Sequence, residues 1–83
     1  MEQIGRTPKQ IGAIVRRQRR QSGLTQGQLG AKIRLRQATV SKLESGEPAT
    51  RLSTLLDALA ALDLEIVIRP RTKAPINEIE ELF

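Results

Sequence analysis

Apolar residues recur at helical spacing through most of this chain. Short polar stretches interrupt the repeat and carry residues typical of helix starts and ends, so the pattern predicts four short helices. Thr7-Pro8 is typical of a helix start, and Ser22-Gly23 closes the first helix with glycine in the left-handed position that follows a helix. The predicted helices span Pro8–Gln21, Gln26–Ile33, Arg36–Ser45 and Arg51–Leu62.

The period of the pattern changes after the fourth helix. Leu64–Arg69 is short and rich in β-branched residues, with Leu64, Ile66 and Ile68 on one side, which predicts a β-strand. No second strand is apparent in the chain, and a lone strand cannot satisfy its own backbone hydrogen-bonding groups. We therefore expect this strand to pair with the same strand of a second copy across a two-fold axis.

The ends of the chain differ from this helical body. Residues 1–7 are predicted to be a flexible arm, and residues 8–69 a single domain that includes the dimerisation strand at 64–69. Residues 70–83 are polar and acidic, which predicts a flexible tail. Because apolar residues are spaced between its glutamates, a role in partner binding or as a degradation handle stays open.

The distribution of charge points to a polyanionic partner. All 14 Lys and Arg residues and six of the nine Asp and Glu residues precede position 74, so this part carries +8 while the whole chain carries +5. A basic body of this kind is expected of a nucleic-acid-binding protein, although a merely solubilising surface is the simpler alternative.

The composition excludes several other classes of function. The chain has no Cys and no His, which removes disulfides, Cys/His zinc sites and histidine acid–base chemistry. It also lacks a convergent carboxylate pair, so we expect no enzyme, no metal and no cofactor. No signal-peptide pattern and no run of about 18 apolar residues is present, so we expect a cytoplasmic protein with no membrane partner.

The segment Gln26–Ser45 has the residue pattern of a helix-turn-helix. Two short helices that cross steeply need apolar residues at irregular spacing and a small residue where their backbones touch, and Gly30 supplies the latter. Arg34 departs from the pattern because it occupies the turn position that favours glycine, so the turn is either strained or built with other dihedral angles. The apolar positions are Leu29, Ile33, Leu35, Val40 and Leu43.

The third predicted helix carries candidate DNA contacts on one face. Val40 and Leu43 point inward, and the opposite face has no carboxylate and no large apolar residue. Gln37 can pair with an adenine edge and the Ala38 methyl can contact a thymine methyl. Two of the basic residues can reach either a base edge or a phosphate. The candidate base contacts are Arg36, Gln37, Ala38, Ser41 and Lys42.

Two further groups of residues surround this face. Phosphate contacts are expected at the start of the second helix and beside the third, from Thr25, Gln26, Thr39 and Arg51. Arg19 and Glu44 lie on the inner sides of the first and third helices, where a semi-buried ion pair would join them. Two unrelated surface charges are the alternative interpretation of these residues.

The motif from Gly23-Leu24-Thr25-Gln26 to Glu44-Ser45-Gly46 resembles the Xre/Cro type of repressor. Arg36-Gln37-Ala38-Thr39-Val40-Ser41, with the strand after the leucine-rich helix, narrows the resemblance to HipB-like antitoxins. The resemblance implies an all-α, phage-repressor-like fold of four to five short helices with a C-terminal strand paired across a dimer. It also implies palindromic operators in the protein's own promoter and a HipA-like serine/threonine kinase toxin as partner.

Two alternatives remain at this point. A stand-alone Xre-type regulator would share the DNA-binding motif but have no toxin partner. A protein-interaction module, or a helical bundle that binds no DNA, would use the same packing without reading bases. Alanine at Gln37 distinguishes the interaction module, because the loss of a base contact is expected to weaken operator binding by about 1–3 kcal/mol, whereas an unchanged operator affinity would favour the module.

Overall fold

The computed structural model describes residues 2–71 and contains four helices in that range. They are α1 (Pro8–Gln21), α2 (Gln26–Lys32), α3 (Gln37–Ser45) and α4 (Leu52–Ala61). The predicted all-α fold is confirmed, and each predicted helix is present. Arg36 and Arg51 are N-cap residues in extended conformation, so α3 and α4 each begin one residue later than predicted.

Local capping interactions define the starts of the first two helices. The Thr7 Oγ1 accepts a hydrogen bond from the Gln10 backbone N–H at 3.1 Å, and Pro8 occupies the first turn. At α2, the Gln28 backbone N–H donates to Thr25 Oγ1 at 3.1 Å while the Thr25 N–H donates to Gln28 Oε1 at 2.8 Å. This reciprocal capping box satisfies backbone donors that the helix itself leaves free.

The helix-turn-helix turn requires a left-handed residue, and Arg34 adopts that conformation. Its φ is +59°, so the turn keeps the backbone that usually favours glycine. A non-glycine residue there costs about 1 kcal/mol or more because its Cβ crowds the following carbonyl. Of the two alternatives for this position, the structure therefore has the strained one.

A small aliphatic core lies where the helices meet. α3 packs against both α1 and α2. Ala58, Leu59 and Leu62 close the core from the α4 side, whereas Leu52 and Leu56 of the same helix are 64% and 44% exposed. The most deeply buried core residues from the other three helices are Val15, Leu29, Val40 and Leu43.

Residues 64–71 are described and form no strand with any other part of residues 2–71. Leu64 folds back so that its N–H donates to the Leu59 carbonyl at 2.8 Å, and its side chain packs against the core. Ile66 and Ile68 are exposed, and Ile68 is 93% accessible. Because the expected partner strand belongs to a second copy, the dimerisation strand stays a prediction.

The N-terminal residues 2–7 lie against α1. The Arg17 guanidinium donates to Gln3 Oε1 at 3.2 Å, and the Arg6 N–H donates to Gln10 Oε1 at 2.7 Å. The predicted acidic tail falls outside the described residues from position 72 onward. None of the four helices in the described range is long and apolar enough to cross a membrane.

Candidate nucleic-acid interface

α3 presents two chemically different faces. Val40 and Leu43 are 1% and 4% exposed and face the core, and Glu44 is buried beside them. The opposite face is open to solvent. It carries every side chain predicted as a base contact, all of them exposed: Arg36, Gln37, Ala38, Ser41 and Lys42.

Close backbone packing between α2 and the turn sets the position of α3. A Cβ on Gly30 would lie 2.5 Å from the Leu35 carbonyl oxygen, and the Leu35 N–H donates to the Gly30 carbonyl at 2.8 Å. At the other end of α2, a Cβ on Gly27 would lie 3.9 Å from Gln37 Oε1. The start of α2 is therefore beside the start of α3, as a helix-turn-helix requires.

The N-terminus of α3 is open. Arg36 makes no side-chain capping bond there, and the helix begins with no acidic residue in its first turn. Its first backbone N–H groups and the positive end of the helix dipole are therefore available to an anion. Placed in a major groove, this end would meet electronegative base edges and phosphates.

The predicted phosphate contacts lie on two sides of α3. Thr39 and Arg51 line a groove of about 420 Å³ between α3 and α4, together with Lys42. Thr25 and Gln26 lie at the start of α2 instead. Thr25 is exposed, but Gln26 is half-buried and its side-chain amide donates to Glu44 Oε1 at 3.2 Å, an interaction that the sequence did not indicate.

Arg19 and Glu44 form the ion pair that joins α1 to α3. Arg19 Nε donates to Glu44 Oε2 at 2.6 Å and Nη2 donates to Oε1 at 3.0 Å, and both residues are 7% exposed. Arg19 Nη1 also donates to the Leu24 carbonyl at 2.8 Å. The hydrogen bond to Glu44 raises the pKa of Arg19 above its ordinary value, despite burial, which acts to lower it. The ion pair holds α3 against α1.

Gly12 is a positioning residue that the pattern analysis missed. A Cβ there would lie 2.5 Å from the Leu43 carbonyl oxygen and 2.6 Å from that of Glu44, so only glycine lets α1 approach α3 this closely. The available signal was a glycine in the middle of a predicted helix, where it costs about 1 kcal/mol relative to alanine.

The described residues contain no cluster of metal ligands. Between positions 2 and 71, no three Asp or Glu side chains cluster as a metal ion would need. The exposed face of α3 carries the predicted base contacts opposite the buried side of the helix, so it is the candidate binding surface.

Comparison with known proteins identifies the family of this chain. A family profile described as helix-turn-helix matches residues 15–68. Antitoxin HipB of Escherichia coli K12 is 34% identical over 75 residues, which are 90% of this chain and 85% of that protein. The HipB–O4 20mer complex superposes with a TM-score of 0.79 at 31% identity, covering 86% of this chain and all of that one. The HipA–HipB–O2–O3 complex gives the same four values.

Proposed function

We propose, from the membership of this chain in the helix-turn-helix family and, within it, in the HipB antitoxins, that it is a DNA-binding repressor. We propose further that it pairs with a HipA-like kinase toxin. The observation that carries the proposal is the division of α3, whose core side is sealed while its base-reading side is free. Operator DNA is cytoplasmic in bacteria, so the proposal includes that compartment.

The exposed residues of α3 have the chemistry of base readers. Gln37 pairs through its amide with an adenine edge, the Ala38 methyl contacts a thymine methyl, and the Ser41 hydroxyl donates or accepts at a base edge. Arg36 and Lys42 reach a base edge or a phosphate. Within residues 2–71, none of these side chains is held by a hydrogen bond or an ion pair, which leaves them available to DNA.

A homodimer follows from the apolar surface that one chain leaves uncovered. Apolar surface is exposed on α4, at Leu52 and Leu56, and in the segment after it, where Val67 is 70% and Ile68 93% exposed. Burying this surface against a second copy would remove it from water, which is energetically favourable. Pairing of residues 64–69 between two copies supplies backbone partners as well as apolar cover. Two-fold symmetry then sets two α3 helices about 34 Å apart, which matches a palindromic operator.

The kinase partner rests on the relatives. The HipA–HipB–O2–O3 complex is among the structures that superpose on this chain. A stand-alone regulator, the alternative, is not favoured by these relatives. Co-expression with a kinase encoded beside its gene tests this part: the complex is expected to co-purify at physiological salt, and a kinase that is not retained refutes the antitoxin role while leaving the DNA-binding role intact.

Footprinting on the DNA upstream of the protein's own gene tests the repressor role. We expect a protected palindrome, and we expect Gln37→Ala to weaken binding to it by about 1–3 kcal/mol. Gln10→Ala is the matched control, since Gln10 is an exposed glutamine on α1 whose side chain caps the Arg6 N–H. An unchanged affinity for Gln37→Ala, or no protected site, contradicts the proposal and favours a protein-interaction module.

A further inference from the structure

α1 carries a basic face that the predicted DNA contacts do not use. Lys9, Arg16, Arg17 and Arg20 line one groove of about 550 Å³ between α1 and the end of α3. We call this set of four residues the α1 basic face. Its four positive charges lie on less than four turns of one helix, and residues 9–20 contain no Asp or Glu.

The charges of the α1 basic face are not compensated by the protein. Glu44 is the carboxylate that borders the groove, and Arg19 already engages both of its oxygens. Within residues 2–71, the ion pairs join Arg19 to Glu44 and Arg69 to Glu2, so none includes the α1 basic face. Arg16 and Arg20 are one turn apart, where like charges destabilise a helix. A polyanionic ligand would relieve this repulsion.

The location of the groove identifies which polyanion fits. Its far wall includes Ser45, one turn beyond Ser41 on the exposed side of α3. The other flank of α3 is the groove of Thr39, Lys42 and Arg51. A helix that enters a major groove about 12 Å wide has a phosphate strand on each side. The two grooves therefore correspond to the two strands, and the α1 basic face is continuous with the start of α2 through the contact of Gln26 with Glu44.

We propose that the α1 basic face binds the phosphates of the DNA strand on the α1 side and extends the footprint beyond the bases read by α3. This inference rests on the proposed repressor function. From Lys9 to Arg20 the helix rises about 16 Å, which corresponds to about five base pairs. The contact is electrostatic and independent of sequence, so it adds affinity and salt dependence without changing which operator is recognised.

The test compares the full chain with Arg16→Gln/Arg20→Gln on two duplexes. One duplex ends at the outermost bases that α3 is proposed to read, and the other adds ten base pairs of arbitrary sequence on each side. For the wild type we expect tighter binding and a steeper salt dependence on the longer duplex. Removing one phosphate-binding cation lowers the salt slope by about one, so the slope of the double variant, as a dimer, is expected to be smaller by about four. Between 50 and 200 mM salt, the affinity of the wild type is therefore expected to fall on the order of 100-fold more than the affinity of the double variant.

Two variants control for charge and folding. Lys32→Gln/Arg71→Gln removes the same number of charges from exposed positions outside both grooves and outside the proposed dimerisation strand, and it is expected to keep the wild-type slope and length dependence. Arg16→Lys/Arg20→Lys retains the charges and is expected to behave like the wild type. Circular dichroism at 222 nm is expected to show the same helix content in every variant.

The outcomes separate this inference from the function on which it rests. If Arg16→Gln/Arg20→Gln keeps the wild-type slope on both duplexes while the wild type binds its operator, the α1 basic face does not bind DNA and the repressor function still stands. If the same variant instead loses only the kinase, the face binds an acidic protein surface and the inference is overturned. If the wild type protects no upstream DNA, both fail together.

Discussion

Replacing Glu44 by leucine would leave the Arg19 guanidinium buried without its carboxylate. In the native protein that guanidinium has two hydrogen bonds to Glu44, at 2.6 and 3.0 Å, and one to the Leu24 carbonyl. Only the hydrogen bond to Leu24 would remain. Removing one partner of a buried ion pair costs about 3–5 kcal/mol, because the remaining charge is shielded from water and has no opposite charge beside it.

The structure sets the expected cost near the lower end of that range. Arg19 keeps the Leu24 carbonyl at 2.8 Å, and the Glu44 position borders a groove from which water can reach the freed guanidinium. We therefore expect Glu44→Leu to lower the free energy of unfolding by about 3 kcal/mol. In a domain of this size each kcal/mol shifts the melting temperature by about 4–8 °C, so melting falls by at least about 12 °C.

Urea unfolding followed by circular dichroism at 222 nm measures this change, and a second variant identifies its cause. Arg19→Met/Glu44→Leu replaces the pair by apolar side chains of similar length, and a paired charge replaced in this way costs far less than a broken one. We expect the double variant to recover most of the stability that Glu44→Leu removes. A double variant as unstable as the single one would refute the reasoning, since the destabilisation would then come from packing and not from an unpaired buried charge.

Four further predictions concern stability and assembly. Gly30→Ala is expected to destabilise by about 2 kcal/mol in urea, because its Cβ would meet the Leu35 carbonyl at 2.5 Å; a loss below about 0.5 kcal/mol would contradict this. Arg34→Gly is expected to stabilise by about 0.5 kcal/mol, since it relieves a φ of +59° but adds freedom to the unfolded chain, and a lower urea midpoint would contradict it. Ile68→Glu is expected to convert the proposed dimer to a monomer in sedimentation velocity, with helix content unchanged. Arg19→Met is expected to lower the free energy of unfolding by the same amount at every pH from about 7 to 10. The pKa of Arg19 is raised in the folded protein, so the stabilisation it provides is lost only as the pH rises through that folded-state pKa.

Features that depend on neighbours in sequence were the ones that could be predicted. The cap at Thr7 and the capping box at Thr25 involve residues three positions apart, so the sequence already contains both partners. The separation of α3 into a buried and an exposed face also follows from the helical period, because the buried and the exposed residues lie about half a turn apart around the helix axis. The small residue at Gly30 was predictable because the motif itself brings the two backbones together.

Features that depend on distant elements could not be predicted in the same way. Leu52 and Leu56 share the helical spacing of the buried leucines, yet they are exposed because no other element of the described chain covers that side of α4. The phosphate contact at Gln26 stays a prediction, but the contact of its side-chain amide with Glu44, 18 residues away, was not indicated by the sequence. Periodicity gives the angle of a side chain about its own helix and says nothing about what lies opposite, so only the assembled fold distinguishes these cases.

The short α3 separates recognition from stability by face. Val40, Leu43 and Glu44 connect the helix to the core and to α1 on one side. On the other side, Gln37 and Ser41 make no side-chain hydrogen bond within residues 2–71, so exchanging them removes no interaction that supports the fold. Exposed substitutions of this kind are usually within about 0.5 kcal/mol of neutral. The proposed operator readout can therefore change at these positions while the fold, the ion pair and the proposed dimer stay intact. Such substitutions leave the fold intact only if the buried residues of α3 hold the helix in position without any contribution from its exposed face. The buried Arg19–Glu44 pair provides this by joining α3 to α1.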